Sequence, residues 1–250
     1  MYIYRDSKKA PQRSYIMTFD ELFSNTFSAL SKNIDHAAIR EQVSFMLPSM
    51  PMVHACRADD LDFFQPLIDT GDLTVAQMHH AAQSYYLGKS RSGLPIFWMI
   101  DELGFVLDGH IDTDIWISSL LKKREPLLQY WQVSHCLFGL HLLTDMPVSI
   151  VESEVSAVIL SELCPESVWM AYVSPENITI DLMDPLQDHT VTIYPRTDPT
   201  MSNNLFFLDF ASQVRQVYPS IHLTIDDTLE DEASESQKSR CIDLLDFILE

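Results

Sequence analysis

The chain has 250 residues, 46% of them hydrophobic, and a formal net charge of −20 from 16 Lys and Arg against 36 Asp and Glu. That length supports one large or two small domains with a sizeable core. No run approaches the ~20 apolar residues of a membrane helix, and the four cysteines, Cys56, Cys136, Cys164 and Cys241, are spaced too widely for a CxxC half-site or a disulfide framework.

The charge is unevenly spread. Residues 1–146 hold 12 Lys and Arg against 17 Asp and Glu, whereas residues 147–250 hold 4 against 19, and no Lys or Arg lies between Arg124 and Arg196. Phosphate contacts supply most nucleic-acid affinity, so the C-terminal half lacks the means to build a basic groove. The polar, charged first residues lack the apolar stretch of a signal peptide. A cytoplasmic, bacterial protein is the default expectation.

Residues 1–16 read as a flexible arm. Thr18-Phe-Asp-Glu21 resembles a capping box opening a helix to Lys32, and Asp35 begins a second helix ending near Pro48. A third helix is expected over Ala58 to Asp69. Thr74 and Gln77 repeat the capping-box pattern, with Gly88 ending that helix. Leu94 to Ile100 and Phe105 to Ile111 are β-formers on either side of Asp101-Glu-Leu-Gly104, which predicts a hairpin. Lys122-Lys-Arg124 is the one basic run and reads as a solvated loop. Residues 17–146 thus form an N-terminal helical and hairpin region.

From Val148 the pattern changes. Strands at 148–152, 168–173, 190–194 and 221–225 alternate with helices at 154–163, 203–217 and 237–249, and Asp226 to Glu235 reads as an acidic loop. Short apolar strands separated by helices predict an α/β layer with a parallel sheet over 147–250.

In such sheets functional groups gather beyond the carboxyl ends of the strands. Glu152 and Glu154 follow the first strand there, and Tyr194-Pro-Arg-Thr-Asp198 follows the third. Carboxylates from two strand ends can hold Mg²⁺, which takes oxygen ligands. Glu152 reads either as a catalytic acid or as a polar residue where a strand leaves the core. Glu154 suits a helix N-terminus, where the dipole favours a carboxylate, and Asp198 suits a surface turn. No GxSxG elbow, Walker loop or GxGxxG follows a strand. His135 and His141 stand too far apart for one helix face, and His54 with Cys56 falls short of a metal site.

The arrangement resembles the toprim domain of bacterial primases, topoisomerases and related nucleases, and more closely the toprim-like proteins of bacterial mobile elements. The residues carrying the resemblance are Tyr85-Tyr-Leu-Gly88, Phe97-Trp-Met-Ile-Asp101, Cys136-Leu-Phe-Gly-Leu-His-Leu-Leu143, Val151-Glu-Ser-Glu-Val-Ser-Ala-Val-Ile159 and Arg196-Thr-Asp198, over roughly 75–200. The resemblance implies Glu152 as catalytic acid or base, Glu154 and Asp198 as Mg²⁺ ligands, and a link to DNA replication or mobilisation. The chain departs from the family's pattern in four places. The paired cysteines of an N-terminal zinc finger are missing. Val155-Ser156 replaces the usual Lys-Thr, and Ala171-Tyr-Val-Ser174 replaces a Gly-rich turn. Arg196 stands where the first Asp of a DxD pair is usual; a guanidinium offers no lone pair to a metal and would repel the ion or pair with Glu152. The expectation is therefore an accessory protein with a degraded Mg²⁺ site that works through a protein partner. The alternatives are an active primase- or nuclease-type enzyme with Arg196 on a substrate phosphate, and an acidic DNA mimic acting through 147–250.

Overall fold

The computed structural model describes residues 47–112, 115–130, 133–175 and 177–250. The expected arm, the capping box at Thr18 and the helix beginning at Asp35 fall outside them, apart from Pro48 at the last one's end.

Two sheets organise the described residues. The first is an antiparallel meander of β1 (Gly88–Lys89), β2 (Pro95–Ile100), β3 (Val106–Asp112) and β4 (Ile115–Trp116) in sequential order. Its central hairpin is the expected one. The Asp101 carboxylate accepts the N–H groups of Leu103 and Phe105 at 3.0 and 2.8 Å, and Gly104 takes φ +83°, so the turn closes on an Asx-type bond and a glycine. The second sheet is parallel, β5 (Val148–Val151), β6 (Val168–Ala171), β7 (Thr190–Ile193) and β8 (His222–Ile225), in the order β6-β5-β7-β8. The mixed α/β class expected from the periodicities is therefore the observed one.

Helices fill the crossovers. α1 (Met50–Cys56), α2 (Gln65–Thr70) and α3 (Val75–Ser84) precede the first sheet, and α4 (Ile117–Arg124) follows it. α5 (Glu154–Leu163) joins β5 to β6, and α6 (Ser202–Val217) joins β7 to β8. α7 (Thr228–Glu232), α8 (Glu235–Ser239) and α9 (Leu244–Leu249) end the chain. The two faces of the parallel sheet belong to different cores. Val151, Trp169 and Ala171 face α5 in a cluster that also holds Phe64, Tyr85, Phe97 and Phe138 from the N-terminal half, so this core runs across position 146. Ile150, Met170, Val191 and Ile193 face the opposite cluster with Phe207, Phe210 and Val214 of α6. That alternation is the period of a strand buried on both faces. No helix among the described residues is long and apolar enough to cross a membrane.

Several local expectations are corrected. The helix expected over Ala58 to Asp69 is broken: Leu61 is extended, and the chain restarts through a 3₁₀ turn into α2, where Pro66 lies in the first turn. Proline is tolerated there and not mid-helix. Gly88 does not end α3. The capping box at Thr74 and Gln77 is present, but the helix stops at Ser84, Tyr86 takes φ 52°, and Gly88 enters β1. Lys122-Lys-Arg124 forms the last turn of α4 rather than a loop, which suits cations at a helix C-terminus. The acidic run contains α7, with Glu230 buried, and the last predicted helix is divided at Cys241, whose φ is 52°. The strand expected over 168–173 ends at Ala171 because Val173 turns with φ 72°.

Candidate functional site

The order β6-β5-β7-β8 reverses between β5 and β7, which makes that gap the switch point where open α/β sheets bind ligands. Glu152 leaves β5 on one side of it, and the segment Tyr194 to Asp198 leaves β7 on the other. The two chain segments expected to meet do so. The Arg196 Nη1 atom lies 3.9 Å from Glu152 Oε1, with the Glu152 side chain 18% exposed. Tyr172, at the end of β6, donates its hydroxyl to Glu152 Oε2 at 3.5 Å. Burial first, and then the Glu152 charge, pushes the Tyr172 hydroxyl far up, so it stays a donor.

The turn after β6 holds the backbone strain here. Val173 is β-branched yet takes the left-handed φ of 72°, and its N–H donates to the Glu152 carbonyl at 2.9 Å. Such a conformation is an outlier for a β-branched residue and persists only where the surroundings impose it.

Glu154 sits at the first position of α5, as its sequence suggested, but it is buried and its partner comes from the antiparallel sheet. Its Oε1 meets His110 Nδ1 of β3 at 2.5 Å. The Ser153 hydroxyl caps the helix by accepting the Ser156 N–H at 3.4 Å.

Asp198 is not the loose surface turn expected of it. It is buried, and its carboxylate accepts the N–H of Thr200 at 2.8 Å, the Thr200 hydroxyl at 2.5 Å and the N–H of Asn203 at 2.8 Å. It thereby satisfies donors at the start of α6, the usual work of an Asp ahead of a helix. Burial pushes the Asp198 carboxyl up, but these donors outweigh it and hold it well below the ordinary range. A carboxyl depressed in the folded state adds stability above the pH at which the unfolded chain titrates, and loses it as pH falls through that range. Asp198→Ala is therefore expected to lower stability by about 2 kcal/mol near neutral pH. The deficit should shrink below about pH 4, read by urea unfolding at a series of pH values.

A polar cluster beside β3 was not anticipated. Asp108 is fully buried and accepts the N–H of Gly109 and of Ser118, each at 2.8 Å, and the Ser118 hydroxyl at 2.5 Å. His135 Nε2 lies 3.9 Å from Asp108 Oδ2, and the Trp116 ring packs against both His135 and His110, at centroid distances of 4.3 and 4.7 Å. Burial pushes His135 down, with Asp108 opposing. The available signal was the strand's own alternation, in which Asp108 and His110 share a face of β3 (i, i+2). His141, by contrast, stands apart from this cluster, with Nε2 3.0 Å from the Ser84 carbonyl oxygen.

The donor set does not suit Mg²⁺. Glu152 faces a guanidinium, Glu154 faces an imidazole, and Asp198 is saturated by N–H and O–H donors. An octahedral ion needs several converging oxygens, and among the described residues no three His, Cys, Asp or Glu converge in that way.

The fold and this site define a mixed α/β protein whose parallel sheet ends, at its switch point, in an internal acid–guanidinium contact. The chain belongs to the DUF6371 family, a domain of unknown function, whose profile matches residues 62–197, from the turn before α2 to Thr197 beyond β7. No curated protein matches it.

Proposed function

We propose that the chain is a toprim-like accessory protein of a mobile element's DNA-replication or mobilisation machinery, in which an Mg²⁺ seat has given way to an internal charge contact. It acts by binding a protein partner rather than by cleaving or joining strands. The observation that carries this reading is the Arg196 guanidinium 3.9 Å from Glu152 at the switch point. A fixed positive charge there neutralises the one carboxylate of the set that still faces the gap and disfavours entry of a second cation. The link to mobile-element DNA rests on the sequence blocks around Tyr85, Phe97, Cys136 and Glu152.

Calorimetric titration with Mg²⁺ and Mn²⁺ tests the reading. The wild-type protein is expected to show no site tighter than about the millimolar range, where bound and free ions differ by only ~4 kcal/mol, and Glu152→Gln should change nothing. A tight site abolished by Glu152→Gln, or metal-dependent nicking or nucleotide incorporation lost in the same variant, would establish the active enzyme instead.

A further inference from the structure

α6 presents an apolar stripe to solvent. Asn204, Phe207, Phe210, Ala211 and Val214 are its buried face, whereas Leu205 is 59% and Leu208 46% exposed; Met201 is exposed just ahead of the helix, and exposed Phe206 lies on the other flank, against Phe210. Leu205 and Leu208 stand at i, i+3 on one helix face, and Met201 precedes them as the residue before the first turn.

Its position in the fold is set by two hydrogen bonds. Asn204 Nδ2 donates to Asp227 Oδ1 at 2.9 Å, just past β8, and an Arg215 Nη2 hydrogen bond reaches the Leu223 carbonyl of β8 at 2.8 Å. Leu208 lies between these two residues on the same helical row. The stripe therefore runs along the edge of the parallel sheet where, among the described residues, β8 has β7 on one side and no strand on the other. Arg215 occupies a carbonyl of that edge, so an added strand meets a blocked partner. A helix packing its ridges against the stripe meets no such obstacle.

Charge identifies the occupant. Residues 147–250 carry 19 Asp and Glu, with Arg196, Arg215, Lys238 and Arg240 as their four basic residues. Each of those four is already engaged inside the chain: Arg196 with Glu152, Arg215 with the β8 backbone, Lys238 with Glu230 at 3.5 Å and Arg240 with Glu250 at 2.6 Å. Exposed Asp209, Asp227, Asp231 and Glu232 belong to α6 itself and to the segment that follows β8. The field around the stripe is thus acidic, a field that steers cationic partners and repels a second copy of a chain with net charge −20.

We infer that the α6 face bordering β8 docks an amphipathic helix of a partner protein, with apolar residues on the stripe and Lys or Arg along its flanks. This inference rests on the protein-binding reading given above, and names its surface.

The test uses the full chain and two synthetic amphipathic helices that share a leucine stripe, one flanked by Lys and one by Glu, in fluorescence-polarisation titrations. The Lys-flanked helix is expected to bind at least about tenfold more tightly than its twin and to weaken as salt rises. The double variant Leu205→Ser/Leu208→Ser is expected to lose about tenfold in affinity with an unchanged melting temperature, because both side chains are exposed. Equal affinity in the double variant, or equal binding of the two helices, overturns the inference. So does a concentration-dependent dimer that the double variant dissolves, which would give the face to a second copy. The metal titration reads Glu152 and this experiment reads α6, so either reading can fail while the other stands.

Discussion

Gly139→Ala is expected to lower the stability of the folded chain by about 3 kcal/mol, from strain and steric overlap together. Gly139 has φ +85°, a region that L side chains rarely enter. A methyl group there would lie 2.8 Å from the Trp169 carbonyl oxygen and 3.0 Å from Tyr85 Cε1. Neither neighbour can yield easily. Trp169 belongs to β6, and Tyr85 is buried with its hydroxyl donating to that same carbonyl at 2.8 Å. Phe138, the residue before, exchanges two hydrogen bonds with Ala171, at 2.9 and 3.0 Å, and so covers the outer edge of β6. The glycine lets the chain turn away immediately after that pairing. Displacing it disturbs an edge strand, a buried tyrosine and the contact between the two halves of the molecule together. Chemical denaturation reads the effect as a lower midpoint. A variant as stable as the wild type would mean that the backbone relaxes to accept the methyl group and that the close approach is not needed.

Legibility followed the range of the interaction. The strands from Val148 to Ile225 announced themselves because alternation and turn residues are local and the parallel sheet is buried on both faces. Thr74 and Gln77 are three residues apart, and their reciprocal caps were readable for the same reason. The region around Ala58 failed because its apolar spacing suits a helix while Pro66 forbids one mid-course, a conflict resolved by restarting the helix. Asp198 had a readable signal that a surface-turn reading passed over, an Asp followed two residues later by Thr and then by a helix. What could not be read was which polar groups meet across the core. Glu154 and His110 are 44 residues apart and in different sheets' neighbourhoods, and no local pattern links them. The meeting of Glu152 with the segment after β7 was expected from the parallel topology, since strand order brings those two ends together.

His110→Leu is expected to cost about 3 kcal/mol or more, because it leaves a buried carboxyl without its imidazole. Glu154 is 7% exposed and His110 2%, so water does not readily replace the lost contact. The pair bridges β3 of the antiparallel sheet to the first residue of α5 in the parallel layer. The contact consequently joins two elements whose own hydrogen bonds are separate. Glu154→Gln keeps the shape and an acceptor for His110 and is expected to cost less than His110→Leu. The double variant His110→Leu/Glu154→Leu removes both polar groups from the interior and should recover part of the loss, because a buried pair replaced by apolar groups is often near neutral. Urea unfolding of the wild type, His110→Leu, Glu154→Leu and the double variant closes the cycle. If His110→Leu and the double variant prove equally destabilised, the energy lies in packing against Trp116, 4.7 Å from His110, and the acid–imidazole contact contributes little to joining the two halves.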